Sequence, residues 1–126
     1  MARIRGITIE IGADASKLEK VLEDVNKQSR NINRELRDVN KLLRFDPKNT
    51  ELLSQKQKLL GDQIAATREK LDRLRAAQEQ VNEQFEKGEI SEKQYRAFKR
   101  EIEETASKLK YYEEQLKQVN EQKNIF

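Results

Sequence analysis

The stretch LEKVLEDVNKQSRNINRELRDVNKLL, residues 18–43, decides the fold. Read in alternating steps of four and three, it lands on Leu18, Leu22, Val25, Ser29, Ile32, Leu36, Val39 and Leu43. A 3.5-residue apolar period keeps one stripe of a helix turned toward a neighbour over many turns, so it marks long helices that pair with other helices. The pattern returns twice. A second seam runs Leu53, Gln57, Leu60, Ile64, Thr67, Leu71, Leu74, Gln78, Val81 and Phe85. A third runs Tyr95, Phe98, Ile102, Thr105, Leu109, Tyr112, Leu116, Val119, Lys123 and Phe126. Of these 28 positions 22 are apolar or aromatic, which is too sustained for a chain without helical order.

Composition agrees. The 126 residues are one domain or a piece of something larger. Charged residues make up 39% and hydrophobic ones 35%, with one Pro and four Gly. Disorder is the rival reading for so polar a chain, but a disordered segment has no reason to hold a period. The formal net charge is +3. The first helical stretch, residues 17–44, carries eight basic and five acidic residues, while the later two stretches nearly balance. Interspersed signs fit the solvated outer face of paired helices, so nucleic acid is not the lead partner. Without cysteine there is no disulfide framework and no thiolate chemistry. No apolar run approaches the roughly 20 residues that span a bilayer, and the first residues lack a signal-peptide core. The expectation is a soluble chain made in the cytoplasm.

The opening differs from the rest. Ile7, Ile9 and Ile11 alternate with Thr8 and Glu10, the period-2 pattern of a half-buried strand. Ile4 is out of phase, and Gly6 between them suits a bulge. No second strand is visible downstream. A lone strand leaves its ladder groups unpaired, so Ile7, Ile9 and Ile11 are expected to pair with another chain, giving a homo-oligomer. The chain then divides into a strand segment, residues 1–12, and a helical region, residues 13–126.

Helix boundaries follow from capping chemistry. Ser16 with Glu19 reads as a capping box, with Asp14 a competing N-cap. The first helix runs to about Arg44, where Phe45-Asp46-Pro47-Lys48 stops it and Asn49 or Thr50 caps the next. The second runs from about 50 to 86, with Gly61 its likeliest kink and Gly88 its terminating C′ glycine. Ser91 and Gln94 form a capping box for the third, flanked by the staple pair Ile90 and Tyr95. This helix runs to about 123 without a stop signal. Short connections favour antiparallel neighbours. The predicted fold is therefore all-α: three heptad-patterned helices, about 16–44, 50–86 and 91–123, in antiparallel coiled-coil hairpins behind one short strand. Their unequal lengths leave overhanging seams, a second hint of partners.

No chemistry is advertised. The chain has no His, Cys or Trp, which removes most nucleophile–base pairs and transition-metal sites. Adjacent carboxylates such as Glu103 and Glu104, or Glu113 and Glu114, point about 100° apart on a helix and read as solvated surface. The four glycines are isolated, so there is no phosphate loop. The reading is a non-enzyme without cofactor or metal. Its functional residues are the strand isoleucines and the seam: Leu18, Leu22, Val25, Ile32, Leu36, Val39, Leu43, Leu60, Ile64, Leu71, Leu74, Val81, Phe85, Phe98, Ile102, Leu109, Tyr112, Leu116 and Val119. Ser29, Gln57, Thr67 and Gln78 are polar seam positions that either fix register or are merely tolerated. Tyr111 lies off the seam and is expected to be exposed.

The order of segments carries a resemblance. ARIRGITIEIG (2–12) leads into DASKL (14–18), then LLRFDPKNTELL (42–53), QKQKLL (55–60) and FEKGEISE (85–92). This looks like the N-terminal region of tail tape measure proteins from long-tailed phages and prophages of Gram-positive bacteria. The likeness reaches to about Leu116 and is most specific at Asp46–Leu60 and Gly88–Tyr95. It implies a virion structural protein. Such proteins are long helical chains held in several copies inside the tail tube, around which tube subunits polymerise with tail assembly chaperones. The resemblance thus implies tail-tube, tail-tip or chaperone partners, and a place in the host cytoplasm during assembly and in the virion tail lumen afterwards. Family members are far longer and contain Ala- and Gly-rich hydrophobic segments absent here, so the implied object is a fragment or truncated product. The alternative is a self-contained helical interaction module, such as a prefoldin-like holdase or a secreted helical hairpin. The secreted class is disfavoured by the missing Trp-x-Gly turn.

Overall fold

A computed structural model describes residues 4–125. The molecule is mostly helical (80%), with a short two-stranded antiparallel sheet at the N-terminus and four helices. In order these are β1 (Thr8–Ile11), β2 (Asp14–Lys17), α1 (Leu18–Val21), α2 (Glu23–Phe45), α3 (Thr50–Glu86) and α4 (Glu92–Ile125). At about 1.5 Å per residue α3 is about 55 Å long and sets the length of the molecule. It is the central element. Both α2 and α4 pack along it, while their own backbones scarcely approach one another.

The strand expectation needs correction. β1 has a partner in its own chain: Thr8 faces Lys17, Ile9 faces Ser16, Glu10 faces Ala15 and Ile11 faces Asp14. Two residues, Gly12 and Ala13, close the hairpin. Gly12 has φ +63, the positive value that a two-residue II′ turn requires at its first central position. The segment Asp14–Lys17 looks like a helix start by capping rules, yet Ser16 and Asp14 cap nothing. Residue Lys17 occupies the N-cap position of α1, without a side-chain cap bond. Short polar side chains suit a helix N-terminus locally, but a strand already laid on the core offers their backbone a ladder, and the ladder wins. The hairpin extends the N-terminal unit to Lys17, beyond the expected boundary at residue 12.

The outer edge of β1 is also satisfied within the chain. Antiparallel pairing turns the backbone groups of alternate residues away from the partner strand. Here Thr8 and Glu10 face outward, and α3 meets them. The Gln80 side chain accepts from the Glu10 N–H at 2.6 Å and donates to its carbonyl at 3.0 Å, while Gln84 Nε2 donates to the Thr8 carbonyl. Two glutamines thus stand in for a third strand. The reason for pairing Ile7, Ile9 and Ile11 with another chain is removed. Residues Ile7 and Ile9 are buried, and Ile11, at the turn, is 51% exposed.

Ile4 to Gly6 form a turn rather than a bulge, with Ile4 buried. Gly6 has φ +87, and a Cβ there would lie 2.7 Å from Gln94 Nε2. That amide donates to the Arg5 carbonyl at 3.0 Å, which ties the N-terminal turn to the start of α4.

Helix termini follow local chemistry closely. Asn49 Oδ1 accepts from the Leu52 N–H at 3.0 Å and caps α3. Beyond Glu86, Gly88 (φ +73) donates to the Phe85 carbonyl and Glu89 donates to that of Gln84, the paired bonds of a Schellman ending. Ser91 and Gln94 exchange the two capping-box bonds at 2.8 and 3.1 Å. Helix α3 continues unbroken through Gly61. The first helix starts at Leu18 and is interrupted at Leu22, although Leu22 and Asn26 still donate to Leu18 and Leu22 across the break.

The core is in two parts. Ile4, Ile7, Ile9, Leu18, Leu22, Leu74, Ala77, Val81, Ile90 and Phe98 form one cluster, at the end where the hairpin sits. Leu36, Leu60, Ile64, Tyr112 and Val119 form the other, with Ile32, Leu109 and Leu116 partly buried against it.

Candidate interaction face

The sequence-predicted seam distributes unevenly over these cores. Residues Leu18, Leu22, Val25, Leu36, Val39, Leu60, Ile64, Leu71, Leu74, Val81, Phe98, Tyr112 and Val119 are buried. Side chains of Ile32, Leu43, Ile102, Leu109 and Leu116 are half-buried. Phe85 lies at the margin, stacked on Tyr95 with ring centroids 4.2 Å apart. Leu53 and Thr105 of the seams are buried too, and Phe126 lies outside the described residues.

Helix α3 departs most from a single seam, because it is sandwiched and buries two faces. Gln63, Ala66 and Ala77 are buried although no seam includes them, and Gln78 is on the seam yet exposed. A one-stripe period cannot report a helix with neighbours on both sides. The weak signal that was available is the small Ala66 and Ala77 one position from the stripe.

Between the cores lies a polar waist. Gln63 is fully buried, and both donors and the oxygen of its amide are engaged: it accepts from Ser29 Oγ at 2.8 Å and donates to the Ser29 carbonyl and to Asn33 Oδ1 at 3.1 and 2.7 Å. On the other face Lys70 and Glu101 pair at 2.8 Å, largely shielded from water. The polar seam positions have separate uses. Ser29 locks α2 to α3; Gln57 donates to Asn120 and accepts from Lys123, linking α3 to α4; Thr67 bonds only to its own helix. These contacts fix axial register, since a buried amide tolerates no slip without losing its partners.

Surface charge is also divided. Ion pairs Lys58–Asp62, Arg68–Glu113, Lys70–Glu101, Arg73–Glu69, Arg96–Glu92 and Lys108–Glu104 lie on α3 and α4. Among the described residues none of the Lys or Arg side chains of α2 has such a partner. Three of them, Arg30, Arg34 and Arg37, line a groove of about 530 Å³ between α2 and α4. Lys56 of α3 also lines it, with Leu36, Leu60 and Tyr112 as apolar wall and exposed Tyr111 at the rim. No Asp or Glu lines the groove. Burial holds the Lys56 ammonium below its ordinary pKa, because leaving water disfavours its charge.

The far end of the rod is similarly open. Leu42 is 53% exposed, Phe45 84% and Ile125 78%, all beyond the second core cluster. Among the described residues there is no group of three or more acidic side chains placed to hold a metal ion. No buried polar side-chain atom among them lacks a hydrogen-bond partner, and no described helix is long and apolar enough to cross a membrane. The polar interior is engaged in holding the helices together. No family model, curated protein or solved structure matches the chain.

Proposed function

We propose that this chain is a structural assembly protein, the N-terminal segment of a phage tail tape measure protein, rather than an enzyme. The observation that carries the reading is the ordered set of segments from Ala2 to Glu92 described above, now set on a rod about 55 Å long. A helix converts residue number into length linearly, which is the property a molecular ruler needs. In this reading α2–α3 and α3–α4 act as antiparallel coiled-coil hairpins. The polar waist supports it, because buried amides and shielded ion pairs fix register in paired helices at some cost in stability. Several copies would lie together in the tail lumen after assembly in the host cytoplasm, contacting tail-tube or tail-tip subunits and assembly chaperones.

The reading is tested on tails purified from bacteria that carry the gene. Peptides of this chain should be present in the particles, and in-frame deletion of its codons should abolish tails of normal length. Tails of unchanged length after the deletion, or particles without the chain, overturn it.

A further inference from the structure

The cations of α2 are patterned. Lys27, Arg30, Arg34, Arg37, Lys41 and Arg44 follow one another at spacings of three, four, three, four and three residues. That spacing places all six on one side of the helix, in a stripe about 25 Å long. All six are exposed, and none forms an ion pair with a described residue. Glu35 and Asp38 share the helix, but neither pairs with the stripe. The middle of the stripe forms one wall of the groove between α2 and α4, whose lining combines cations with Leu36, Leu60 and Tyr112 and contains no carboxylate.

We infer that this groove is a docking site for an acidic amphipathic helix of another protein. The incoming helix would set its apolar stripe against Leu36, Leu60 and Tyr112 and its flanking carboxylates against Arg30, Arg34 and Arg37, adding a fourth helix beside α3. Three observations select this occupant. Arg30, Arg34 and Arg37 stand along one wall of the groove, where carboxylates flanking the apolar stripe of an incoming helix would meet them. An apolar wall contributes to seating a helix and nothing to holding a phosphate backbone, which is recognised by charge. A second copy of this chain is a poor fit, since its exposed large apolar side chains among the described residues (Ile11, Leu42, Phe45, Phe85, Tyr111 and Ile125) make no helical stripe flanked by carboxylates that could enter the groove. Lys56 adds a charge that burial disfavours and that a carboxylate arriving in the groove would stabilise. The inference stands on this geometry alone and holds whether or not the chain belongs to a phage tail.

The probe is a labelled four-heptad peptide with Leu at its a and d positions and Glu at e and g, whose self-repulsion keeps it from pairing with itself. Fluorescence anisotropy with the full chain should show saturable binding that weakens as salt is raised. Replacing Leu by Ser at a and d, or Glu by Lys at e and g, should each weaken binding about tenfold or more. R30E/R34E/R37E in the chain should do the same, with the circular dichroism of the protein unchanged because the three side chains are exposed. A charge-matched control, R75E/K87E/K93E, changes exposed cations away from the groove and should leave the affinity within about twofold. The inference is overturned by any of four results: no binding of the Leu/Glu peptide, equal binding of the Ser version, equal loss in the control variant, or tighter binding of a single-stranded oligonucleotide than of the peptide. A fall in the chain's own solution molar mass on R30E/R34E/R37E would also overturn it, by making the groove a contact between copies.

Discussion

The two ends of this rod are built differently. At the hairpin end, ten buried apolar residues from the N-terminal turn, β1, α1, α3, α4 and the α3–α4 connection close one core, and three glutamines from α3 and α4 bond to backbone of the first ten residues. At the other end the core cluster has five buried residues, with Val39 and Leu53 buried outside it, three of the outlying apolar side chains remain in water, and a groove stays open between α2 and α4. The closed end has satisfied its own edges. The open end retains apolar surface and unpaired charge, which are what a partner needs. If the proposed docking holds, stability and recognition fall at opposite ends of one set of helices.

Substitutions test that division. The largest effect is expected at Phe98, a fully buried ring of the closed end: Phe98→Ala should cost about 3–5 kcal/mol in denaturant unfolding, since the cavity has walls on several elements. A loss below about 1 kcal/mol would mean that this end is loosely packed. Next comes Gln63 in the waist. Gln63→Ala strands the Ser29 and Asn33 groups that bond to it and should cost about 1–3 kcal/mol, felt first as faster hydrogen exchange in α2. An unchanged exchange rate there would show that the amide does not hold α2 in place. Gly6→Ala forces a side chain into positive φ against Gln94 and should cost about 1–2 kcal/mol, with early exchange of the β1 amides. The smallest effect belongs to the open end: Phe45→Ser, at a ring 84% exposed, should shift stability by no more than about 0.5 kcal/mol. A larger loss would mean that Phe45 is covered in solution, and the contrast between the ends would fail.

How much of this was legible beforehand depends on the range of the interaction. The Asn49 cap, the Schellman ending at Gly88 and the Ser91–Gln94 box all involve residues within five positions of each other, and each forms as their identities dictate. Ser16 and Glu19 carry the same spacing as Ser91 and Gln94, yet Ser16 is in a strand. The difference is that Ile9 lies beside it on the core, and no local pattern contains that fact. The burial of Gln63 and Ala77 and the exposure of Gln78 were hidden for a related reason: they depend on how many helices surround α3.

The basic stripe of α2 shows where the two sources meet. Its spacing is present in the residues themselves, but its availability is not, because an ion pair across to α3 or α4 would have consumed it. The amino-acid order alone determined which segments become helices, where α3 starts and stops and where α4 starts, and that the helices pair side by side, since turns of helix and caps are decided by neighbours a few residues apart. The start and the break of the first helix were not among these. Folding in three dimensions decided that β1 finds β2 and the glutamines of α3 instead of another chain, and that one groove keeps its charge. The β1–β2 ladder joins residues only 3 to 9 positions apart but is held where it is by the core beneath it. The glutamine contacts join groups from 30 to more than 70 positions apart along the chain, and only the packed molecule brings these within bonding distance.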